Sequence, residues 1–339
     1  MVTQFPVDYA HCAVLGVMRK LLLMYVGGPY RTRLMHDEIS AISNRLTSYA
    51  AYCPSELARR PRSLTHLRNW KATELRSFMC YTGVAALQDI VEHEVYGNYV
   101  LFAMGMRILL TPDDCLLRNA LAKELLSQFV RHTIQLFGEH LATYNMHVMT
   151  HLADEAMEHG CLNFISAFPF ENFLYKLKRL LRKPGATLQQ VVNRTYESRA
   201  LTLPEAKVTT RFMHPHEDGP LPLNYSHCQQ FKSVVTPVCR FGTSDRDCCV
   251  LTRTDRQVGL ICNVLKDGRE VYLALNFYND KRDVFQQPVL SSDFGIYRVS
   301  DLDAVYHVRE VGDCCKCFRM PYDQADDTFV ASVLLHDNL

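Results

Sequence analysis

Two acidic residues stand where a hydrolytic metal site could be built. Asp8 lies in the extended segment Phe5-Pro-Val-Asp-Tyr-Ala-His11, just ahead of an apolar run that predicts a helix. Glu171 lies in Ser166-Ala-Phe-Pro-Phe-Glu-Asn172, at the first turn of a second predicted helix. Carboxylates are hard oxygen ligands that suit Mg²⁺ or Mn²⁺. Two such ions held side by side divide the work of phosphodiester cleavage: one activates the attacking oxygen, the other stabilises the leaving oxygen. Each acid also has a plainer role. Asp8 can cap the helix that follows it. Glu171 can occupy a first turn because the positive end of the helix dipole favours a carboxylate there.

Other residue groups bear on the same chemistry. The helix expected over 171–183 has an apolar side made of Phe170, Phe173, Leu174, Leu177, Leu180 and Leu181. Its other side carries Lys176, Lys178, Arg179, Arg182 and Lys183, and the next helix adds Arg194 and Arg199. Such a face can follow a phosphate backbone or can simply be solvated. A second basic cluster is Arg59, Arg60, Arg62, Arg68, Lys71 and Arg76. Cys314-Cys315-Lys316-Cys317 lacks a paired second half at zinc-finger spacing, although Cys248 and Cys249 could supply one in space, and zinc is not expected. His147 and His151 are four apart and share a helix face. No Glu follows His147, so they read as a packed or exposed pair rather than a metalloprotease motif. There is no Gly-rich phosphate loop and no Gly-x-Ser-x-Gly.

The elements that must position these residues change character along the chain. Helices are expected over residues 13–25, 31–52, 67–82, 84–95 and 98–110, the last apolar nearly all round and so buried. Thr111-Pro112-Asp113-Asp114 signals the start of a helix running to about Phe137, and another follows over 144–159. A short strand is expected over 161–168, broken by Pro169, and Thr187 with Gln190 forms a capping box for a helix to about Ala200. Residues 204–225, rich in Pro, His and Gly, read as a linker. Beyond them strands are expected at 249–252, 258–265, 271–277, 289–299, 304–308, 317–320 and 329–335, with a hairpin turn at Lys266-Asp267-Gly268-Arg269. The bulk numbers agree with two folded parts: 339 residues, 48% hydrophobic and 22% charged. A net charge of +1 means that any nucleic-acid surface must be local. The run 13–25 is interrupted by Arg19 and Lys20 and is too short to span a bilayer. With no secretory leader pattern and an odd count of 13 cysteines, reduced thiols in the nucleus or cytoplasm are expected.

Three blocks, in order, resemble the CACTA (En/Spm-like) family of DDE-type DNA transposases. Val7-Asp-Tyr-Ala-His-Cys-Ala-Val-Leu-Gly16 is similar to that family's "D-x-x-H … L-G" segment. Trp70-Lys-Ala-Thr-Glu-Leu-Arg-Ser-Phe-Met-Cys-Tyr-Thr-Gly83 falls where the family has a helical block. His147-Val-Met-Thr-His-Leu-Ala-Asp-Glu-Ala-Met-Glu-His-Gly160 and Ala167-Phe-Pro-Phe-Glu-Asn-Phe-Leu-Tyr-Lys-Leu-Lys-Arg179 resemble its "H-L-x-x-E-A … G … Y-P-F-E-R … L-K" block. The resemblance implies that Asp8 is the second catalytic aspartate and Glu171 the third carboxylate, both metal ligands. It also implies that Lys176, Lys178, Arg179, Arg182, Lys183 and Arg194 contact DNA. Asn172 departs from the family, which often has Arg there. The family's first aspartate lies well upstream of Asp8, so this chain alone is not expected to cut DNA.

The expected fold class is α+β: a partial RNase H-like core with a large all-helical insertion over residues 1–203, the linker 204–225, and a small mainly β domain over 226–339. The expected function is that of a transposase-derived protein, ancestrally a metal-dependent DNA cleavage and strand-transfer enzyme, using Mg²⁺ or Mn²⁺ for any remaining activity. The expected partner is DNA, either transposon-end-like or non-specific, with self-association as a further one and no membrane. The alternative is a non-catalytic DNA- or protein-binding adaptor.

Overall fold

The computed structural model describes residues 5–29, 33–201, 210–323 and 327–335. Helices occupy the first part and an antiparallel sheet the second, an α+β arrangement. The helical part begins with a π-helix, Ala10–Met18, continued by α1 (Arg19–Gly27). Then come α2 (His36–Ser48), α3 (Ala72–Ser77), a second π-helical turn Phe78–Thr82, α4 (Gly83–Leu87) and α5 (His93–Leu109). They are followed by α6 (Asp114–Leu117), α7 (Asn119–Phe137), α8 (Tyr144–Val148), α9 (Leu152–His159), α10 (Phe168–Leu180) and α11 (Thr187–Leu201). The apolar residues of α5 bury almost the whole helix from Asn98 onward, as its composition requires. It packs on α7, with Phe102 stacked on Phe129 at 4.7 Å. Gly105 permits this approach, because a Cβ there would stand 2.8 Å from Leu126 Cγ.

Several element boundaries differ from the sequence expectation for visible reasons. The expected helix 31–52 begins at His36, and its residues 31 and 32 lie outside the described residues. The helix expected to run on from Thr111 is broken at Arg118, and the Thr111 hydroxyl bonds back to the Arg107 carbonyl instead of capping. Trp70 and Lys71 are extended and divide the stretch 67–82, with Glu74 reaching back to the Lys71 N–H at 2.8 Å. Residues 161–167 form turns, not a strand, and Phe168 begins α10. Cys161 and Leu162 are buried beneath the end of α5, where Leu162 N–H bonds the Leu109 carbonyl at 3.0 Å. No strand occurs among the described residues of 5–201, so the sheet that a partial RNase H-like core would supply is not found there. Pro169 lies in the first turn of α10 instead of breaking the chain. Gln190 does not complete a capping box with Thr187. Its amide ties down the preceding loop, accepting from the Arg182 and Lys183 N–H groups and donating to the Lys183 and Gly185 carbonyls.

In the second part the strands are β1 (Arg211–His216), β2 (Gln229–Val235), β3 (Arg240–Gly242), β4 (Cys249–Thr252) and β5 (Val258–Asp267). The rest are β6 (Glu270–Asp283), β7 (Ile296–Glu310), β8 (Cys314–Asp323) and β9 (Thr328–Val333). β1 lies inside the expected linker, whose residues 204–209 lie outside the described residues. It pairs only with β2, so Pro215 costs no ladder partner on an outer edge. β5, β4, β8, β9, β7 and β6 pair in that order, and β6 pairs again with β5, closing a ring of six antiparallel strands. Side-chain alternation supplies two faces. Cys317, Phe329, Ala331, Tyr297 and Val299 fill one apolar cluster of the sheet. Phe318, Met320, Val330 and Ile296, on the opposite faces of the same strands, join the core of the helical part.

Polar groups fasten that junction. Arg107, only 2% exposed, donates to the carbonyls of Cys80 (2.7 Å), Phe294 (3.0 Å) and Val333 (3.1 Å) and to the Ser332 hydroxyl (3.3 Å). Gln88 donates to the Val284 carbonyl at 2.5 Å. Buried Lys316 of β8 meets Glu56 at 2.6 Å and Asp247 at 2.5 Å, and Asp247 also accepts from Ser55. Replacing Arg107 by Met keeps much of the volume but strips these acceptors of their donor. Each buried acceptor left alone costs about 1–3 kcal/mol, so Arg107→Met is expected to lower stability by at least about 3 kcal/mol. A urea titration checks this, and a loss below about 1 kcal/mol would remove Arg107 from its linking role.

Candidate functional site

The segment before the first π-helix places Asp8 at the start of that helix and against α10. Asp8 Oδ1 accepts from the N–H of Ala10 (3.2 Å) and of Ala167 (2.9 Å). Asp8 Oδ2 accepts from the His11 N–H (3.1 Å) and lies 2.5 Å from His11 Nδ1. The capping role open to Asp8 is therefore filled, and the same side chain also pins the entry to α10. Glu171 stands in the first turn of α10, half exposed, with Oε1 at 3.2 Å from His11 Nε2. Two acids far apart in sequence thus meet on the two nitrogens of one imidazole. The hydrogen bond to Asp8 raises the His11 pKa; partial burial opposes it, and the charges of Asp8 and Glu171 add to the rise.

The pattern suits a protonated histidine better than a metal pair. Asp8 already accepts four contacts, as many as a carboxylate has lone-pair sites. Glu171 faces the same imidazole. A divalent ion would have to take the place of His11, so the residues as arranged do not fit a two-metal centre.

Beside the cluster is a cleft of about 1040 Å³ whose lining includes Glu171 and Asn172 together with Arg19, Arg59, Arg68 and Lys71. Its floor is a buried polar group. Tyr9 Oη donates to Asn163 Oδ1 at 3.1 Å, and Arg76 donates to the same oxygen at 2.7 Å. Burial pushes the Tyr9 phenol up to about 12, against the pull of Arg76. Within the second basic cluster, Arg62 is spent on Glu74 at 2.5 Å and Arg76 on the floor, which leaves Arg59, Arg60, Arg68 and Lys71 at the surface.

α10 and α11 continue away from the cleft, and α10 buries no residue. Lys176, Lys178, Arg179, Arg182 and Lys183 are exposed, and among the described residues none lies within ion-pair distance of a carboxylate. Arg194 is partly covered and stands 4.0 Å from Glu197. Lys178 follows Glu171 by two turns and shares its helix face. The apolar stripe is open as well, with Phe170, Phe173, Leu174 and Tyr175 each more than half exposed.

Other sequence candidates lie apart from this site. His147 and His151 are exposed, their Nε2 atoms 3.1 Å apart, as an exposed pair would be. Cys314 and Cys317 fall on opposite faces of β8 and enter different apolar clusters, so the cysteine motif does not converge. Sequence reasoning assigned no role to His11, Arg19 or Asn163. For His11 the sequence offered two signals: its place three residues after Asp8, which puts both on one helix face, and its match to the histidine of the D-x-x-H segment.

Residues 215–334 match a family described as a domain of unknown function (DUF8592). That match covers the closed sheet and leaves residues 1–214, with the whole candidate site, outside it. No curated protein and no solved structure matches the chain.

The His11 shift gives a direct test. A pKa raised in the folded state favours folding below the unfolded value of about 6.5, and that contribution is lost as pH rises through the folded value. The imidazole of His11 should therefore titrate above about 6.5 by NMR, and Asp8→Asn should bring its midpoint down. Equal midpoints in the two proteins would show that Asp8 does not hold the proton there.

Proposed function

We propose that the chain is a transposase-derived protein of the CACTA kind that holds DNA without cutting it. The observation that carries this reading is the joining of a carboxylate pair, a cation-lined cleft and a basic helix at one place. Glu171 both touches His11 and borders the cleft that Arg19, Arg59, Arg68 and Lys71 line. It also opens the helix that bears Lys176, Lys178 and Arg179, with Arg182 and Lys183 just beyond its end. Free cations in a row gain affinity for a polyanion by releasing its condensed counterions. The pairing of Asp8 with Glu171 supports descent from a DDE-type enzyme, since the resemblance names these two acids as metal ligands. An RNase H-like ancestry belongs to the same proposal and rests on the order of the motifs. The contacts that already occupy Asp8, from the N–H groups of Ala10, His11 and Ala167 and from the His11 ring, support loss of the metal-dependent step.

Binding to a short duplex should weaken steeply with salt, log K falling with a slope of about −0.9 per phosphate contacted. The double variant Lys178→Ala, Arg179→Ala should flatten that slope by about 2. Absent or salt-insensitive binding would overturn the DNA reading and leave the open apolar stripe of α10 as a surface for protein. Incubation of supercoiled plasmid with Mg²⁺ should give no nicking. Nicking that disappears in Glu171→Gln would mean that the carboxylate pair is still an active centre.

A further inference from the structure

We infer that His227, Cys228 and Asp267 form a binding site for Zn²⁺ at the turn end of the β5–β6 hairpin. The strand register brings these residues together. Gln229 of β2 pairs with Lys266 of β5, so one step outward along the antiparallel ladder Cys228 faces Asp267. Glu270 closes the hairpin against Asp267, with Gly268 at φ +54 in the two-residue turn. A short 3₁₀ turn, Leu223–Tyr225, leads into the site, and the Cys228 N–H bonds back to the Tyr225 carbonyl at 2.9 Å. One ligand atom from each of His227, Cys228 and Asp267 lies within 4.8 Å of the other two. His227 Nε2 and Asp267 Oδ2 are 3.0 Å apart.

The donor set selects the metal. A thiolate, an imidazole and a carboxylate together suit zinc, whereas Ca²⁺ and Mg²⁺ prefer oxygen throughout. Zinc bonds of 2.0–2.3 Å in tetrahedral geometry hold ligand atoms roughly 3.3–3.8 Å apart, so only small side-chain rotations are needed. His227 and Asp267 are more than half and half exposed and free to make them. Cys228 is buried, yet among the described residues it belongs to none of the three apolar clusters. Binding replaces the Cys228 thiol proton by the metal, and the proton leaves to solvent. Three protein ligands leave the fourth position to water on the exposed side. Once bound, the ion would tie the chain entering β2 to the far end of β5. The site lies within residues 215–334, so it stands or falls independently of the DNA proposal.

Cobalt(II) is the probe, because a thiolate ligand gives it a charge-transfer band. Titration of the full chain under reducing conditions should give one equivalent of this band, reversed by zinc. Cys228→Ser should abolish it, and His227→Ala or Asp267→Asn should weaken affinity at least tenfold. The exposed positions of His227 and Asp267 make those two variants safe controls for folding. No band, a band that survives Cys228→Ser, or affinities unchanged in both His227→Ala and Asp267→Asn would overturn the proposal.

Discussion

Arg107 carries a positive charge into the seam between helices and sheet, and among the described residues no carboxylate stands within ion-pair distance of it. Burial draws its pKa down from the ordinary arginine value. What keeps the guanidinium there is a fork of donors that meets acceptors from both sides at once: Cys80 from the π-helical turn, Ser332 and Val333 from β9, and Phe294 from the turn before β7. The geometry of a planar group satisfies backbone carbonyls that neither half could satisfy alone. It also fixes where α5 lies against the ring of strands. α5 in turn anchors α7 through Phe102 and Phe129, and it accepts the turn at Leu162 that leads toward α10. The position of Glu171 therefore traces back, through few steps, to one buried cation.

The cluster around His11 works by a related principle at the surface. The two π-helical stretches border the cleft: one follows Asp8 and Tyr9, and the other follows Arg76. π-Helical turns recur where a helix must re-aim side chains for a site. Gly16 within the first stretch lets Asn145 approach so closely that a Cβ would stand 2.5 Å from its amide nitrogen. Close packing on one side and Ala167 on the other hold the start of this helix against α10. The acids meet at His11 because both helix starts are fixed, and the imidazole with its raised pKa balances their charge.

Much of the architecture was legible in local patterns. The apolar circumference of α5, the strands at 249–252 and 258–265 and the turn at Gly268 follow from periodicity and turn chemistry alone. β1 was hidden because Pro215 and its His neighbours read as linker, and only its edge position makes proline acceptable. Residues 161–168 had the composition of a strand but no strand to pair with, so they plug the end of α5. Both candidate acids were legible through the resemblance, while their meeting point was not. A contact across so many residues leaves no period or spacing in the sequence. The resemblance includes a histidine at His11 but not its place between the two acids, because a motif records which residues recur and not which charge compensates them.

Closure of the sheet has a further consequence for how this sequence can change. Each of the six strands is held by at least two neighbours, and β5 also by β2, so the ring has no free margin at which a misfit could run out. One residue gained or lost within a strand, unless a bulge takes it up, would turn every later side chain to the other face and pass the error round the circle. Changes in chain length are absorbed in the connections, such as residues 253–257 and 284–295, or as a bulge of the kind that shifts the register between Ile261 and Asn263. Descendants of this sequence are free to drift in the size of those connections, while a change of strand length is held to the few places where a bulge can form.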